Sequence, residues 1–463
     1  MTASLRRVGR LALLAAALPA GRATAQPLRQ PPVLRNSTTA PHTVEVTLVA
    51  APARLALLPG VTTDVFAYNG SIPGPTLEAR EGDRLIVHFQ NDLPEPTSIH
   101  WHGIHLPAAM DGGPLDPVPP GGSFDYDFRL LPGSAGTYWY HPHPHHRTGY
   151  QVAQGLFGAL LVRAADDPLA QLPERLLILS DSRLDHHGAL DHRHGPVEEA
   201  NGREGNLLLV NGQTSPTLAL RPGEVQRWRI VNASAARYYR LTLPGHPFLH
   251  VGSDGGLFER AVERAEVLLA PSERVELLVR GTGSPGNRTL LQSLPYDRYT
   301  PQTRPADWER TRELMTVEYS RERAATPAIP AVLRPVPRLD PARATGKRLM
   351  VLFQGFINGR LFDANRVDEV AALGATEIWE LENPLAMDHP FHLHGFQFQV
   401  LDRNGVPEPF PAWKDTVNVP KGESVRFVVQ YTDYPGKWMY HCHILDHEDH
   451  GMMGILEVRE GGA

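Results

Sequence analysis

One spacing constrains this chain more than any other feature. Three of the chain's five Asn-Gly dipeptides, Asn69-Gly70, Asn211-Gly212 and Asn358-Gly359, stand 142 and 147 residues apart. Each is followed by a Gly and, nine residues after that, by an Asn: Gly82/Asn91, Gly223/Asn232 and Gly374/Asn383. A period of this length means three copies of one domain-sized unit. The unit is β. Runs rich in β-branched and aromatic residues, bounded by Gly, Pro and Asn, recur at 44–49, 84–90, 207–209, 225–231, 274–279 and 425–431. No amphipathic helical stretch of any length competes, and 41 Gly with 43 Pro suit short strands and turns. The expected fold is all-β, built of sandwiches. Linker composition at 164–173 and in the Pro/Ala/Arg-rich stretch 321–347 divides the chain into domains at 26–165, 166–325 and 347–463, with 326–346 as linker.

The first 25 residues read as an export signal outside the fold. Arg6, Arg7 and Arg10 precede the short apolar run 11–18, and Ala23-Thr24-Ala25 offers a small-residue cleavage site. Eight apolar residues are too few to span a bilayer. The Arg6-Arg7 pair points to the twin-arginine route, and Gly9, standing where a large apolar residue is usual, keeps the general secretory route open. Cleavage removes four arginines and no acid, so the mature chain falls from −6 to −10. Such a charge offers no basic surface for nucleic acid. The expected protein is a soluble monomer, periplasmic or extracellular, with no membrane span.

The 22 histidines carry the chemistry. Nine residues past the repeat Asn, the first and third units place His-x-His-Gly (His100, His102, Gly103; His392, His394, Gly395), where the middle unit has Leu241 and Leu243. The same two units share Gly-x-aromatic-x-Tyr-His-x-His at 136–143 and 436–443, which adds His141, His143, His441 and His443. In a strand, His-x-His puts both imidazoles on one face. Eight imidazoles from two domains far exceed a tetrahedral zinc site, and imidazole-only ligation suits copper. Cys442, the only cysteine, lies between His441 and His443, so alternation turns its sulfur to the opposite face. A lone thiol is ordinarily a small buried hydrophobe. Here His389, His447 and Met452 complete a His₂Cys set with a weak axial Met, the blue-copper electron-transfer combination. Pro142 occupies the matching position in the first unit, which therefore lacks the thiolate. A single-electron acceptor bonded through the backbone to a multi-metal centre is what four-electron reduction of O₂ to water requires.

The segments HWHG at His100, YHPH at Tyr140, HPFHLHG at His389 and HCHILDHEDHGMM at His441 resemble the three-domain multicopper oxidases (laccases, bilirubin oxidase and the bacterial copper-efflux oxidase) across essentially the whole mature chain. The resemblance implies three cupredoxin-like Greek-key β-sandwich domains and four coppers per chain. It implies type 1 ligands His389, Cys442, His447 and Met452, and type 2 ligands His100 and His392. The type 3 pair, between domains one and three, would take His102, His141, His143, His394, His441 and His443. The middle domain carries no ligand. Asp111 and Glu448 match acidic positions the family uses for proton delivery, with a structural bond to a ligand imidazole as the rival role. Asp446, Asp449 and Asp388 are further carboxylates, of which Asp388 stands where it would line the substrate end. The segment 413–416 resembles a structural one and is assigned no chemistry. The loop histidines His186, His187, His192 and His194, and the pair His145-His146, read as solvated, with auxiliary copper capture as the alternative.

The reductant is the least constrained element. The chain has eight Met in all, and only Met387 lies between Asn358 and His389, unlike the Met-rich insert of copper-efflux oxidases. The expectation is laccase-like oxidation of phenols or aromatic amines with O₂ as acceptor; the alternative is a metallo-oxidase acting on Cu(I), Fe(II) or Mn(II). Axial Met452 implies a modest type 1 potential. Two-domain nitrite reductases conflict with the three repeats. The non-enzymatic cell-division relatives, and a copper-binding protein without turnover, conflict with a complete ligand set.

Overall fold

The computed structural model describes residues 26–353 and 355–461; the export-signal reading of residues 1–25 lies outside the described residues. Three pairs of sheets follow one another. In the first, Val61–Tyr68, Thr43–Leu58, Arg84–Asn91 and Ser123–Arg129 lie in that order opposite Leu77–Arg80, Gly158–Arg163, Gly136–His141 and His100–His102. The second and third pairs each oppose a six-stranded sheet to a five-stranded one. Each pair encloses one apolar core: Leu85, Phe89, Trp101 and Leu160 in the first, Leu177, Trp228, Ile230 and Leu277 in the second, Trp379, Phe391, Phe427 and Trp438 in the third. The all-β, three-sandwich expectation holds. No helix among the described residues is long and apolar enough to cross a membrane.

The repeat marks have a physical reason. Asn69, Asn211 and Asn358 adopt φ near +50°, each followed by Gly at +72°, the left-handed pair that a tight hairpin turn demands. Their side chains also latch a neighbouring strand: Oδ1 accepts from Val49, Ile178 and Val351 N–H at 2.7, 2.7 and 2.8 Å. In each unit the opening strand then runs parallel to the strand that leads to the second Asn: Thr43–Leu58 with Arg84–Asn91, Glu174–Ser182 with Val225–Asn232, and Gly346–Phe353 with Thr376–Glu382. That second Asn sets the approach to the histidine strand. Asn383 Nδ2 donates to the carbonyls of Met387 (2.7 Å) and Val419 (2.9 Å), fixing the chain on both sides of His389.

Residues 28–30 and the 321–345 stretch are held by bonds to the sandwiches. Leu28 N–H donates to Thr217 O at 2.8 Å, and Gln30 Oε1 accepts from Leu176 N–H at 2.8 Å, both in the second sandwich. Arg334 bonds Glu81 of the first sandwich at 2.6 Å, and Leu339 N–H reaches Gln399 of the third at 2.9 Å.

Candidate metal centre

The histidine strands pair within their own sandwiches, His100 opposite His141 and His392 opposite His441, and the two pairs then meet face to face. All eight imidazoles are buried. Across the seam His100 stacks on His394 and His102 on His392, both with ring centroids at 3.8 Å, and His143 stands 5.1 Å from His441. Donor atoms of His100/His392/His394, of His100/His102/His141 and of His143/His394/His441 each fall within 4.8 Å of one another.

Most rings anchor an outer nitrogen and turn an inner one to the cluster; His143 Nδ1 and both nitrogens of His443 have no hydrogen-bond partner among the described residues. Nδ1 donates to the Asp111 carbonyl from His100 (3.0 Å), to Pro142 O from His141 (2.9 Å), to Asp415 O from His392 (2.7 Å) and to Asp111 Oδ2 from His394 (2.7 Å). The inner Nε2 atoms of His100, His141 and His392 have no partner among the described residues. His394 Nε2 and His143 Nε2 approach His441 Nε2 at 3.0 and 3.3 Å. His102 is turned over: its Nε2 donates to Asp415 Oδ1 at 3.0 Å and its Nδ1 is the unpartnered atom. Burial, then the neighbouring imidazoles, holds His141, His143, His392 and His394 well below the ordinary histidine range, so these four are neutral. Buried, neutral nitrogens aimed at one another cost free energy unless a Lewis acid takes their lone pairs. The donor set fits copper.

On the other side of the strand, Cys442 Sγ lies 3.5 Å from His389 Nδ1 and 3.7 Å from His447 Nδ1. Ile444 N–H donates to the same sulfur at 3.4 Å, and buried Met452 packs in the same core. Burial pushes the Cys442 thiol up to about 12, so a metal must displace its proton to bind. His447, carried on helix Leu445–Asp449, donates through Nε2 to Ala200 O of the second sandwich at 3.1 Å.

The carboxylates divide. Asp111 is buried, bonds His394 and lies 3.4 Å from His100 Nδ1. Glu448 places one oxygen 3.4 Å from His143 Nδ1 and the other 3.4 Å from His441 Nδ1; burial, with the charge of Asp449, pushes its carboxyl well above the usual range. Asp388 does not line an open substrate end. It is 1% exposed and accepts from Tyr296 OH, from Asn418 Nδ2 (2.9 Å) and from Lys421 N–H (3.0 Å), and Met387 beside it is buried too. Asp446 bonds Arg203 and His194, while Asp449 accepts from Thr148 and Gly149 N–H, both at 2.9 Å, capping helix Thr148–Gln154. The histidine loop is solvated only in part: His186 and His187 are exposed, but His192 meets Gln154 at 3.0 Å and His194 meets Asp446 at 3.2 Å. His146 likewise donates to Asp449 O at 2.7 Å.

The segment read as structural supplies a residue of the site. Asp415 holds His102 through its carboxylate and His392 through its carbonyl, and is itself paired with fully buried Arg274 of the middle sandwich (Nη1 to Oδ1 2.8 Å). The chain of charges continues through Asp254 to Lys414, whose Nζ lies 2.9 Å from Asp254 and 3.0 Å from Glu273. Nothing in the repeat or the ligand spacing marks Asp415; only its position beside the strand Thr416–Val419, which pairs with the His389 strand, does so.

A cavity of about 400 Å³ opens at the helix Pro196–Asn201, and His389, Cys442, His447 and Met452 do not line it. Asn201 and Gly202 line it next to Ala200, and a Cβ at Gly202 would collide with Ile444. Tyr238, Tyr296, Tyr299 and Trp308 supply its aromatic wall.

Three multicopper oxidase family models match residues 50–167, 182–321 and 335–462. The chain is similar to the multicopper oxidase mco of Staphylococcus haemolyticus, 31% identical over 86% of this chain and 84% of that one. Among solved structures it is similar to a Campylobacter jejuni multicopper oxidase described as a metallo-oxidase (35% identity, TM-score 0.87, 95% of this chain and 96% of that one). It is also similar to a laccase of Pediococcus acidilactici (32% identity, TM-score 0.84, 95% and 94%). Buried imidazoles converging from the first and third sandwiches, and sequence likeness over nearly the whole length, have one common account: the protein belongs to the multicopper oxidase family, copper-dependent oxidoreductases that pass electrons from a reductant to O₂.

Proposed function

We propose that the chain holds four coppers. His389, Cys442, His447 and Met452 would bind the type 1 ion, His100 and His392 the type 2 ion, and His102, His141, His143, His394, His441 and His443 the type 3 pair. The domains are those of the sequence reading, 26–165, 166–325 and 347–463, which the three sheet pairs support. Bound copper supplies one-electron acceptance beside Cys442 and multi-electron reduction of O₂ among the eight imidazoles. One observation carries the reading: Cys442, within reach of two imidazoles on one face, is bonded through the backbone to His441 and His443, which face the cluster on the other.

The residues around the ions hold and move protons. Asp111 and Glu448, each against two ligand imidazoles of the cluster, orient those rings and supply the protons that O₂ reduction consumes. Asp415 fixes His102 in the tautomer that presents Nδ1. The reductant approaches through the aromatic-walled cavity beside Ala200, whose carbonyl holds His447, so we read phenols and aromatic amines as the first class. The metallo-oxidase described for the similar Campylobacter jejuni structure is the observation behind a second reading, oxidation of a metal ion. We take the protein to act as an exported monomer without nucleic-acid partners, in keeping with its acidic mature charge.

Oxygen uptake by copper-loaded protein across methoxyphenols, Cu(I), Fe(II) and Mn(II) tests this, ranked by kcat/KM because that ratio measures discrimination. Methoxyphenol oxidation above Cu(I) oxidation is expected. A tenfold advantage of Cu(I) over the best phenol, about 1.4 kcal/mol in barrier, would reverse the ranking. Copper-loaded protein is also expected to be blue, and Cys442→Ser to lose that band while keeping the cluster coppers; a colourless wild type with full copper would sink the ligand assignment.

A further inference from the structure

A single serine breaks a pattern that the three repeats otherwise share. In each unit one turn closes on the second repeat Asn: residues 119–122 on Asn91, 270–273 on Asn232 and 420–423 on Asn383. The fourth residue of the turn donates back to the carbonyl of the first, at 2.9, 3.1 and 3.1 Å. The third donates its N–H to the Asn carbonyl, at 2.7, 2.9 and 2.9 Å. That third residue has φ of +72°, +70° and +73°, the left-handed value a type II turn demands there. It is glycine in the outer units, Gly121 and Gly422, and Ser272 in the middle one. A residue with a Cβ is strained in this region, and such strain collects at sites where the side chain has work to do.

A Cβ on Gly121 or Gly422 would meet nothing within 4 Å. Ser272 instead is fully buried, and its Oγ lies 2.9 Å from Thr416 Oγ1 of the third sandwich. Thr416 stands opposite His392 in the sheet. Its hydroxyl lies 3.0 Å from Asp415 Oδ1, 3.2 Å from His102 Nε2 and 3.3 Å from His392 Nδ1. A threonine hydroxyl has one hydrogen and two lone pairs. The Asp415 carboxylate, paired with Arg274, only accepts, so it takes that hydrogen. Ser272 must then donate to Thr416, and the remaining lone pair faces the ring N–H groups of His102 and His392. Arg274 Nη1 holds the serine itself, through its carbonyl at 3.1 Å.

We propose that Ser272 is a positioning residue of the cluster: the middle sandwich, which contributes no ligand, locks the Thr416 hydroxyl and through it the rings of His392 and His102. Each ring is gripped at its outer nitrogen and would ligate through the other, Nε2 of His392 and Nδ1 of His102, so a turn about the outer grip swings the ligating lone pair off its ion. With Ser272 absent, the Thr416 hydroxyl loses the donor that fixes its rotation, and both rings lose a fixed acceptor. Glycine would relieve the backbone at this turn, as it does in the outer units, but would leave the hydroxyl chain open. The proposal rests on the copper reading for the ions concerned, His392 in the type 2 site and His102 in the type 3 pair. The bond from Ser272 to Thr416 does not.

The test separates backbone strain from the hydroxyl. Copper-loaded Ser272→Gly and Ser272→Ala are titrated with a chelator while the type 2 ion is followed by electron paramagnetic resonance, and the copper-free proteins are unfolded in denaturant. Both variants should release the type 2 ion at about tenfold lower chelator concentration than wild type, with the blue band unchanged. Their stabilities should differ, the midpoint of Ser272→Ala falling below that of Ser272→Gly, because only alanine carries a Cβ at positive φ. Gly422→Ser, strained at the matching turn without a partner, should lower the midpoint and keep wild-type copper retention. Retention equal to wild type in both Ser272 variants overturns the proposal, as does copper loss that follows the midpoints or appears equally in Gly422→Ser. Thr416→Val tests the route: adding Ser272→Gly to it should release copper no more readily than Thr416→Val alone, and additive losses overturn action through Thr416. A wild type that binds no type 2 ion refutes the copper reading instead. The midpoints of the copper-free single and double variants then still decide, non-additive shifts supporting the Ser272 to Thr416 bond and additive ones overturning it.

Discussion

His102 presents Nδ1 to the cluster where His100, His141 and His392 present Nε2, and the cause is a single carboxylate, Asp415, on its far nitrogen. Asp415→Asn keeps the shape and removes the charge, leaving buried Arg274 with Asp254 as its remaining carboxylate. Loss of a ligand's outer partner ordinarily costs about 10–100-fold in metal affinity. Chelator competition should therefore strip the cluster coppers of this variant first, with the blue band intact; equal resistance to wild type would make Asp415 a bystander. Asp111→Asn and Glu448→Gln bear on protons instead. Both should retain copper and the rate at which reductant bleaches the blue band, and should slow reoxidation by O₂ in stopped flow. Unchanged reoxidation in both would restrict them to holding the rings. The eight converging imidazoles were legible because they recur at strand period two in matched positions of two repeats. Asp415 was not, because its role is set by contact with a residue 313 positions away.

Among the elements, helix Thr148–Gln154 lacks a side-chain cap of its own and borrows one from helix Leu445–Asp449. A carboxylate on two backbone N–H groups at a helix start is worth about 1–2 kcal/mol. Asp449→Ala should cost about that much in denaturant unfolding of the copper-free protein, and a midpoint equal to wild type would refute the cap. The sequence run HCHILDHEDHG displays its imidazoles and thiol plainly, but not that two of its carboxylates are structural: Asp446 tethers the middle sandwich through Arg203 and Asp449 caps a helix of the first. The Asn-Gly turns at Asn69, Asn211 and Asn358 were readable as repeat marks, whereas the strand each one latches follows only from the folded pairing.

In the whole molecule the sandwich without ligands is what sets the other two. It supplies Arg274 to Asp415, Ala200 O to His447, and Tyr238 OH to Asn418 at 2.9 Å. Its seam with the first sandwich centres on buried Glu276, which pairs with Arg227 and Arg229 and accepts from Thr137 Oγ1 at 2.8 Å. Burial pushes the Glu276 carboxyl up, but the two arginines more than offset this and hold it at about 2, against 4.5 when unperturbed. A carboxyl held below its unfolded value contributes stability that is complete above that value and is lost as pH falls toward the folded one. Here that amounts to something on the order of 3 kcal/mol at neutral pH. The stability gap between wild type and Glu276→Gln should thus be full at pH 7 and close between pH 4.5 and 2, read as denaturant midpoint against pH; a gap independent of pH would show that the charge does not matter.

The meeting of both ends of the chain at one cluster also sets an order of events in synthesis. His143 and His441, close enough to share an ion, are 298 residues apart. At about 5–20 residues per second, roughly 15–60 s pass between the appearance of the first on the ribosome and the second. During that interval the first domain can display His100, His102, His141 and His143 with half of their shared centre still unmade, an open claw for whichever divalent ion is most abundant. A correctly metallated enzyme must therefore take its copper after its last strand closes, so the timing of copper supply, rather than affinity alone, decides which metal it carries.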